Sequence, residues 1–255
     1  MYNDLLKIGN ITIHGYGLMI AIGILTALFM SEYRAKKRNM DSDVLYLFMV
    51  ILVSVGLVGA KLLFCIVEFK DFLKDPVEVL TGSGFVVYGG IIFGIMALIV
   101  TCNIKKLSFL DYFDLITPAV AIAQGFGRIG CFLAGCCYGR ETETFLGITF
   151  THSDFAPNNV KLLPTQLFSS AGAFLIGLFL LHYAKKERGQ GQIGSLYLIL
   201  YSLGRFIIEF FRNDYRGEVG ILSTSQFISL FVLAIGIYLF RKYAKNENKS
   251  KIEVK

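Results

Sequence analysis

A chain of 255 residues that is 55% hydrophobic and 17% charged, with mean hydropathy +0.60, is too apolar for an ordinary soluble domain. Its net charge of +6 does not mark a nucleic-acid surface, because the basic residues fall in short clusters between apolar runs. No polar segment is long enough for a second domain, so residues 1–255 read as one all-α, polytopic integral membrane domain.

Met1–Asn10 is polar, and the apolar run after it is too long for a leader and lacks a small-residue cleavage site. No cleavable signal peptide is therefore expected. Apolar runs of the ~18 to 25 residues that let a helix cross a bilayer fall near 13–33, 44–67, 85–102, 111–135, 166–184, 193–211 and 221–240. The first opens on His14-Gly-Tyr16-Gly, the second carries Lys61, and the third opens on Tyr88-Gly89-Gly90. The fourth holds Asp114 and Arg128, while Pro118, Gly125, Gly127 and Gly130 offer places for it to kink or break. The sixth carries Arg205 and Glu209, with Arg212 just past its end.

The connections sort these spans across the membrane. Segments 34–43, 103–110, 185–192 and 241–255 hold 15 Lys and Arg, whereas 1–12, 68–84, 136–165 and 212–220 hold 7. By the positive-inside rule, seven transmembrane helices run with the N-terminus outside and the C-terminus in the cytoplasm. The three remaining cations, Lys61, Arg128 and Arg205, lie within spans. At about 1.5 Å of rise per residue, Lys61 and Arg128 stand roughly 26 Å from the cytoplasmic ends of their helices, and Arg205 roughly 18 Å.

Ionisable groups at that depth are costly and mark function by default. Three cations in the middle-to-outer part of the bilayer predict that something anionic is held there. Guanidinium suits phosphate, because its planar fork makes paired, charge-assisted hydrogen bonds. Arg205, Glu209 and Arg212 share one helical face, which predicts that Glu209 holds Arg205 in place. Gly125-Phe-Gly127-Arg-Ile-Gly130 matches a dinucleotide-binding pattern, but that reading needs a preceding strand and is rejected in a membrane span. An opened turn there would also present backbone N–H groups beside Arg128. Cys131, Cys136 and Cys137 close the span without any CxxC spacing, so no zinc site is read from them. They fit inert membrane cysteines, thiolates favoured by the basic site, or a disulfide involving Cys131. Asp114 reads as structural.

The segment Gly127-Arg-Ile-Gly-Cys-Phe-Leu-Ala-Gly-Cys-Cys-Tyr-Gly139 resembles the signature of the prolipoprotein diacylglyceryl transferase family. The resemblance extends through His14-Gly-Tyr-Gly, Val58-Gly-Ala-Lys61, Tyr88-Gly-Gly90, Asp114, Pro164-Thr-Gln-Leu-Phe168, Gly204-Arg-Phe-Ile-Ile-Glu209 and Leu222-Ser-Thr-Ser-Gln226. It implies an enzyme of the bacterial plasma (inner) membrane, with its active site toward the outer face and no metal or other cofactor. The implied partners are phosphatidylglycerol, preprolipoprotein signal peptides with a lipobox cysteine, and membrane lipids, but no nucleic acid. Its implied reaction moves diacylglyceryl onto the lipobox thiol as a thioether and releases glycerol phosphate. By position, the resemblance implies catalytic roles for Tyr16, Arg128 and Arg205, and substrate binding by His14, Lys61, Gly89, Gly90 and Glu209 beside the arginines.

This sequence departs from the family's pattern at four places, one of them Lys61, at an arginine-like position of the second span, which keeps the charge but not the geometry. Tyr88 stands where the family usually has histidine, Cys131 where it has asparagine, and Cys136 where it has glutamate. Tyr88 is therefore expected to take over the histidine's place in catalysis. Two other readings compete. One is a paralogue with the same phospholipid site but a different acceptor, or a covalent relay through Cys136 or Cys137. The other is a non-enzymatic lipid or anion carrier, against which stands the lack of any internal repeat.

Overall fold

The computed structural model describes residues 4–8, 11–82, 84–214 and 217–253, and divides into two compact units, Met1–Met30 with Phe113–Lys255 and Ser31–Tyr112. It is helical throughout: α1 (Gly15–Lys37), α2 (Asp43–Val67), α3 (Phe69–Lys74), α4 (Pro76–Thr81), α5 (Val87–Ile104), α6 (Phe109–Ala134), α7 (Thr165–Tyr183), α8 (Gln192–Glu209) and α9 (Thr224–Glu253). Short antiparallel pairs join them, namely β1 (Asp4–Ile8) with β2 (Ile11–His14), β3 (Ile148–Thr149) with β4 (Lys161–Leu162), and β5 (Glu218–Val219) with β6 (Leu222–Ser223). The first pair lies in a stretch rich in Ile and Thr, whose branched side chains suit a pleated surface.

Six helices are long and apolar enough to cross a membrane: α1, α2, α5, α6, α7 and the Thr224–Ala244 part of α9. The protein is accordingly a multi-pass membrane protein. The sixth predicted span, 193–211, coincides with α8, whose polar residues take it below that hydropathy. Those residues do not face lipid. Gln192, Ser195 and Ser202 are each no more than 3% exposed, shielded by protein rather than by hydrocarbon.

In the larger unit α6 is the hub, half of its span being buried. Helix α1 runs antiparallel to it: a Cβ at Gly23 would stand 2.9 Å from Ala123 O, and one at Gly130 would stand 3.2 Å from Tyr16. Helix α7 is also antiparallel, with the Phe174 ring filling the space at Gly125 and Ser170 Oγ donating to Gly125 O at 2.9 Å. The expected break at Pro118 and the glycines does not occur. Helix α6 is continuous, with close-packed neighbours at Gly125 and Gly130 and open space at Gly127. No opened turn presents backbone N–H groups beside Arg128.

Helix α8 runs parallel to α6 and is pinned at its start. Asp114 Oδ2 accepts from Gly191 N and Oδ1 from Gly194 N, both at 2.7 Å, in a buried setting. A carboxylate there satisfies two backbone donors that a helix N-terminus leaves open and meets the positive end of its dipole. Further along, Tyr197 Oη donates to Gln124 Oε1 at 3.2 Å. Helix α9 packs antiparallel on α8, with Gly236 against Ile199 and Arg205 bonded to Ser225.

In the smaller unit α2 and α5 cross at glycines. A Cβ at Gly59 would stand 2.9 Å from Gly89 O, and one at Gly90 would stand 2.9 Å from Gly56 O. Lys61 Nζ donates to Gly82 O at 2.6 Å and Gly84 O at 3.2 Å, and it lies over the rings of Phe64 and Phe85.

The Asp114 anchor makes a testable claim. Asp114→Asn replaces one acceptor oxygen by an N–H₂ facing a backbone N–H, which should cost about 1–3 kcal/mol. Thermal unfolding in detergent should show a lower midpoint; an unchanged midpoint would contradict the anchor's importance.

Candidate active site

Arg128 on α6 and Arg205 on α8 line one cavity of about 160 Å³ between α6, α7 and α8. Gln124, Ser169 and Tyr201 add polar groups to its wall, and Phe168 and Ile208 are among the apolar ones. At ~30 Å³ per water, the space fits a headgroup fragment but not a pair of acyl chains.

The two cations are held differently. Arg205 is 10% exposed in its side chain; Nη2 donates to Ser225 Oγ at 2.7 Å and lies 3.0 Å from Glu209 Oε2. That last contact pairs charges without the alignment of a hydrogen bond, since Glu209 Oε2 has no hydrogen-bond partner among the described residues. Glu209 Oε1 accepts from Ser223 Oγ at 3.2 Å. Arg205 Nη1, also buried, has no hydrogen-bond partner among the described residues. Arg128 makes neither an ion pair nor a hydrogen bond among them. A buried donor without an acceptor costs about 1–3 kcal/mol, more when it is charged, so an anion in the cavity would offset that cost at Arg205 Nη1.

Past the end of α8, Arg212 forks onto Asp214, with Nε to Oδ1 at 2.9 Å and Nη2 to Oδ2 at 2.6 Å. Burial alone would lower its pKa, but the Asp214 carboxylate outweighs that and holds it above its ordinary value. The chain after α8 is zipped to the chain after α6, Arg140 N donating to Phe211 O at 2.9 Å and Asn213 N to Tyr138 O at 3.3 Å.

The Sγ atoms of Cys131, Cys136 and Cys137 all lie within 4.8 Å of one another, and no disulfide joins them. Bonding to the Cys131 and Cys137 thiols, followed by burial, pushes the Cys136 thiol up, and no arginine is among the charges that dominate it. Spacing alone did not reveal this cluster. It depends on left-handed backbone at Gly135 (φ +77) and Cys137 (φ +64), which curls the chain back onto the last turns of α6.

Tyr16 packs on Gly130 and stands in the electrostatic reach of Arg128 and all three thiols. His14 lies apart from the arginines' cavity, its Nδ1 2.7 Å from Asp4 Oδ1. The other expected residues, Lys61, Tyr88, Gly89 and Gly90, belong to the smaller unit. There Lys61 is bonded to loop carbonyls, Gly89 and Gly90 serve the α2–α5 contact, and Tyr88 is 39% exposed. Gln124 and Tyr201 were missed, although a signal existed: each stands four residues before an arginine within an apolar span, on the same helical face.

Residues 3–241 match the family described as prolipoprotein diacylglyceryl transferase. The chain is 48% identical over 238 residues to the phosphatidylglycerol–prolipoprotein diacylglyceryl transferase of Clostridium tetani, covering 92% of this chain and 95% of that one. It is 47% identical over 237 residues to phosphatidylglycerol–prolipoprotein diacylglyceryl transferase 2 of Clostridium perfringens, with 92% of each covered. A relative of the same description from Finegoldia magna is 34% identical over 247 residues, with 96% of each covered.

Removing Glu209 alone leaves Arg205 as an uncompensated buried charge. Glu209→Gln should therefore destabilise the protein by about 3 kcal/mol, while Arg205→Met combined with Glu209→Met should recover much of that loss. Denaturation midpoints of the three proteins decide it; a double variant less stable than Glu209→Gln would contradict the pairing.

Proposed function

The chain belongs to the prolipoprotein diacylglyceryl transferase family, and from that premise we propose that Arg128 and Arg205 clamp the phosphate of phosphatidylglycerol while its diacylglyceryl group moves to a prolipoprotein cysteine. The protein is a transferase that moves diacylglyceryl from phosphatidylglycerol to prolipoprotein. One observation carries the assignment of the clamp: a buried Arg205 Nη1 and an Arg128, neither with a hydrogen-bond partner among the described residues, share a headgroup-sized cavity.

In the reaction, the acceptor sulfur attacks the glyceryl carbon bonded to the phosphate oxygen. A C–S bond forms, the C–O bond breaks, glycerol phosphate leaves with the electron pair, and the thiol proton passes to that phosphate or to solvent. Charge grows on the leaving phosphate, so guanidiniums fixed beside it in a site shielded from water stabilise the transition state more than the ground state. Glu209 and Ser225 keep Arg205 oriented, while Gln124 and Tyr201 line the headgroup's remaining contacts. Tyr16, beside Arg128, orients the substrate. A covalent relay through Cys136 is disfavoured by its product. A thioether would have to expel a thiolate, whose thiol pKa of about 8.5 makes it a poorer leaving group than a phosphate with a second pKa near 6.

The setting follows from the same reading. The chain is one polytopic domain of the bacterial plasma membrane, and α8 is the sixth of its seven spans. Eighteen residues of helix reach about 27 Å, close to the ~30 Å hydrocarbon core. The Lys and Arg distribution supports an N-terminus outside, a cytoplasmic C-terminus and a site toward the outer face. The acceptor is the lipobox cysteine of a preprolipoprotein signal peptide.

Mass spectrometry of a lipobox peptide incubated with the purified protein and phosphatidylglycerol tests this. A diacylglyceryl mass gain on the peptide cysteine is expected, reduced at least about 100-fold by Arg128→Ala, the scale of losing one transition-state donor. An Arg128→Ala protein with undiminished turnover would sink the clamp.

A further inference from the structure

One helical turn nearer the Asp114 anchor than the two arginines, the same cavity is lined by Gln124 and Tyr201, each four residues before an arginine. At 1.5 Å per residue that turn is about 6 Å, within reach of a three-carbon alcohol whose phosphate sits between the guanidiniums. The described residues that line the cavity include no carboxylate and no histidine. Apart from the guanidiniums, its polar wall is Gln124, Ser169 and Tyr201. Two of these three have their hydrogen-bonding sense fixed by the protein around them.

Tyr197 Oη donates to Gln124 Oε1 at 3.2 Å and has no other hydrogen-bond partner among the described residues. A phenol O–H within a membrane span needs an acceptor, and of the two amide atoms only Oε1 can accept. Tyr197 therefore fixes which end of the amide is taken up. Its own ring is stacked on Tyr201, with centroids 5.7 Å apart. What Gln124 has left for the cavity is Nε2, an N–H₂ without a hydrogen-bond partner among the described residues. Ser169 is fixed in the opposite sense. Its Oγ gives its one proton to Thr165 O at 2.7 Å, so any further bond it makes is as an acceptor.

We propose that Gln124, oriented by Tyr197, reads a hydroxyl of the headgroup's glycerol and so selects a glycerol headgroup over an alkyl one. The proposal rests on the transferase reading above and adds the residue that recognises the headgroup beyond its phosphate. A hydroxyl both accepts and donates, so it fits between the Gln124 N–H₂ and an oxygen such as Ser169 Oγ. A plain alkyl headgroup would cover Nε2 and leave it without an acceptor. A site built to hydrogen-bond a hydroxyl rejects the analogue that lacks it for this reason. An aminoethyl headgroup fails differently. Its ammonium brings only donors and a positive charge to a wall that already holds two guanidiniums and an amide N–H₂.

Gln124 touches substrate in this arrangement, and Tyr197 acts through it as a positioning residue. The two roles separate on substitution. Gln124→Met keeps the length of the side chain and loses both polar amide atoms. Tyr197→Phe keeps the ring and its stacking on Tyr201 but loses the O–H. The amide is then free to turn over and present Oε1, which a hydroxyl can still meet by donating.

The test uses full-length protein in detergent, a lipobox peptide, and phosphatidylglycerol or phosphatidylpropanol with identical acyl chains. Both lipids carry the same phosphate charge and yield the same diacylglyceryl peptide, so one mass-spectrometric product gives kcat/KM for each. The unsubstituted protein should prefer phosphatidylglycerol by about 10-fold or more, the scale of leaving one buried donor unpaired. Gln124→Met should use the two lipids alike, and Tyr197→Phe should show an intermediate preference. Each preference is a ratio within one protein, so a merely structural loss that slows both lipids does not move it. Should Gln124→Met fail to fold, the Tyr197→Phe ratio decides. Equal use of both lipids by the unsubstituted protein overturns the proposal and keeps the transferase reading. A full preference retained by Gln124→Met, or by Tyr197→Phe, overturns it as well. Transfer from neither lipid, to a peptide that a control enzyme modifies, rejects the transferase reading and the proposal with it.

Discussion

One carboxylate sets the register on which the site depends. Asp114 on α6 binds the first backbone amides of α8, and from that joint the two helices run side by side. Arg128 stands 14 residues beyond Asp114, and Arg205 stands 14 beyond Gly191. At 1.5 Å per residue both guanidiniums arrive about 21 Å above the joint. Two equal helical spans from one fixed point are enough to bring two cations to one cavity. The buried carboxylate is itself stable because it answers two open N–H groups and the positive end of a helix dipole.

The cations at the end of those spans are arranged for use rather than for stability. Arg205 is partly neutralised by Glu209 and held by Ser225, yet one of its amino groups is left over. Arg128 has no counter-charge at all among the described residues. A fold selected for stability alone would replace such groups with apolar ones of similar volume. Leaving them unpaired makes sense if a substrate phosphate completes the network, since the interaction is then available where charge develops.

Much of this was readable from the order of residues alone. The apolar runs located the helices to within a few residues, and intramembrane charge singled out Arg128 and Arg205 because hydrocarbon tolerates such residues only for a purpose. Hydropathy was a weaker guide to α8, whose polar side chains are satisfied by neighbouring protein. Glycine was the least informative residue. In α6 it signalled a break but serves close packing under Phe174 and Tyr16, and in Tyr88-Gly89-Gly90 it suggested a ligand contact but brings α5 onto α2. The thiol cluster was hidden because it depends on two left-handed residues, Gly135 and Cys137, that no spacing rule anticipates. Lys61 shows the limit of reading charge without geometry, for its ammonium is taken up by loop carbonyls.

The central claim is that the two arginines meet at the phosphate. An experimental structure with a non-hydrolysable phosphatidylglycerol analogue bound tests it most directly. The account predicts the phosphate oxygens within about 3 Å of Arg205 Nη1 and of the Arg128 guanidinium, in the cavity between α6, α7 and α8. A headgroup seated elsewhere, with both guanidiniums still unpaired, would contradict it.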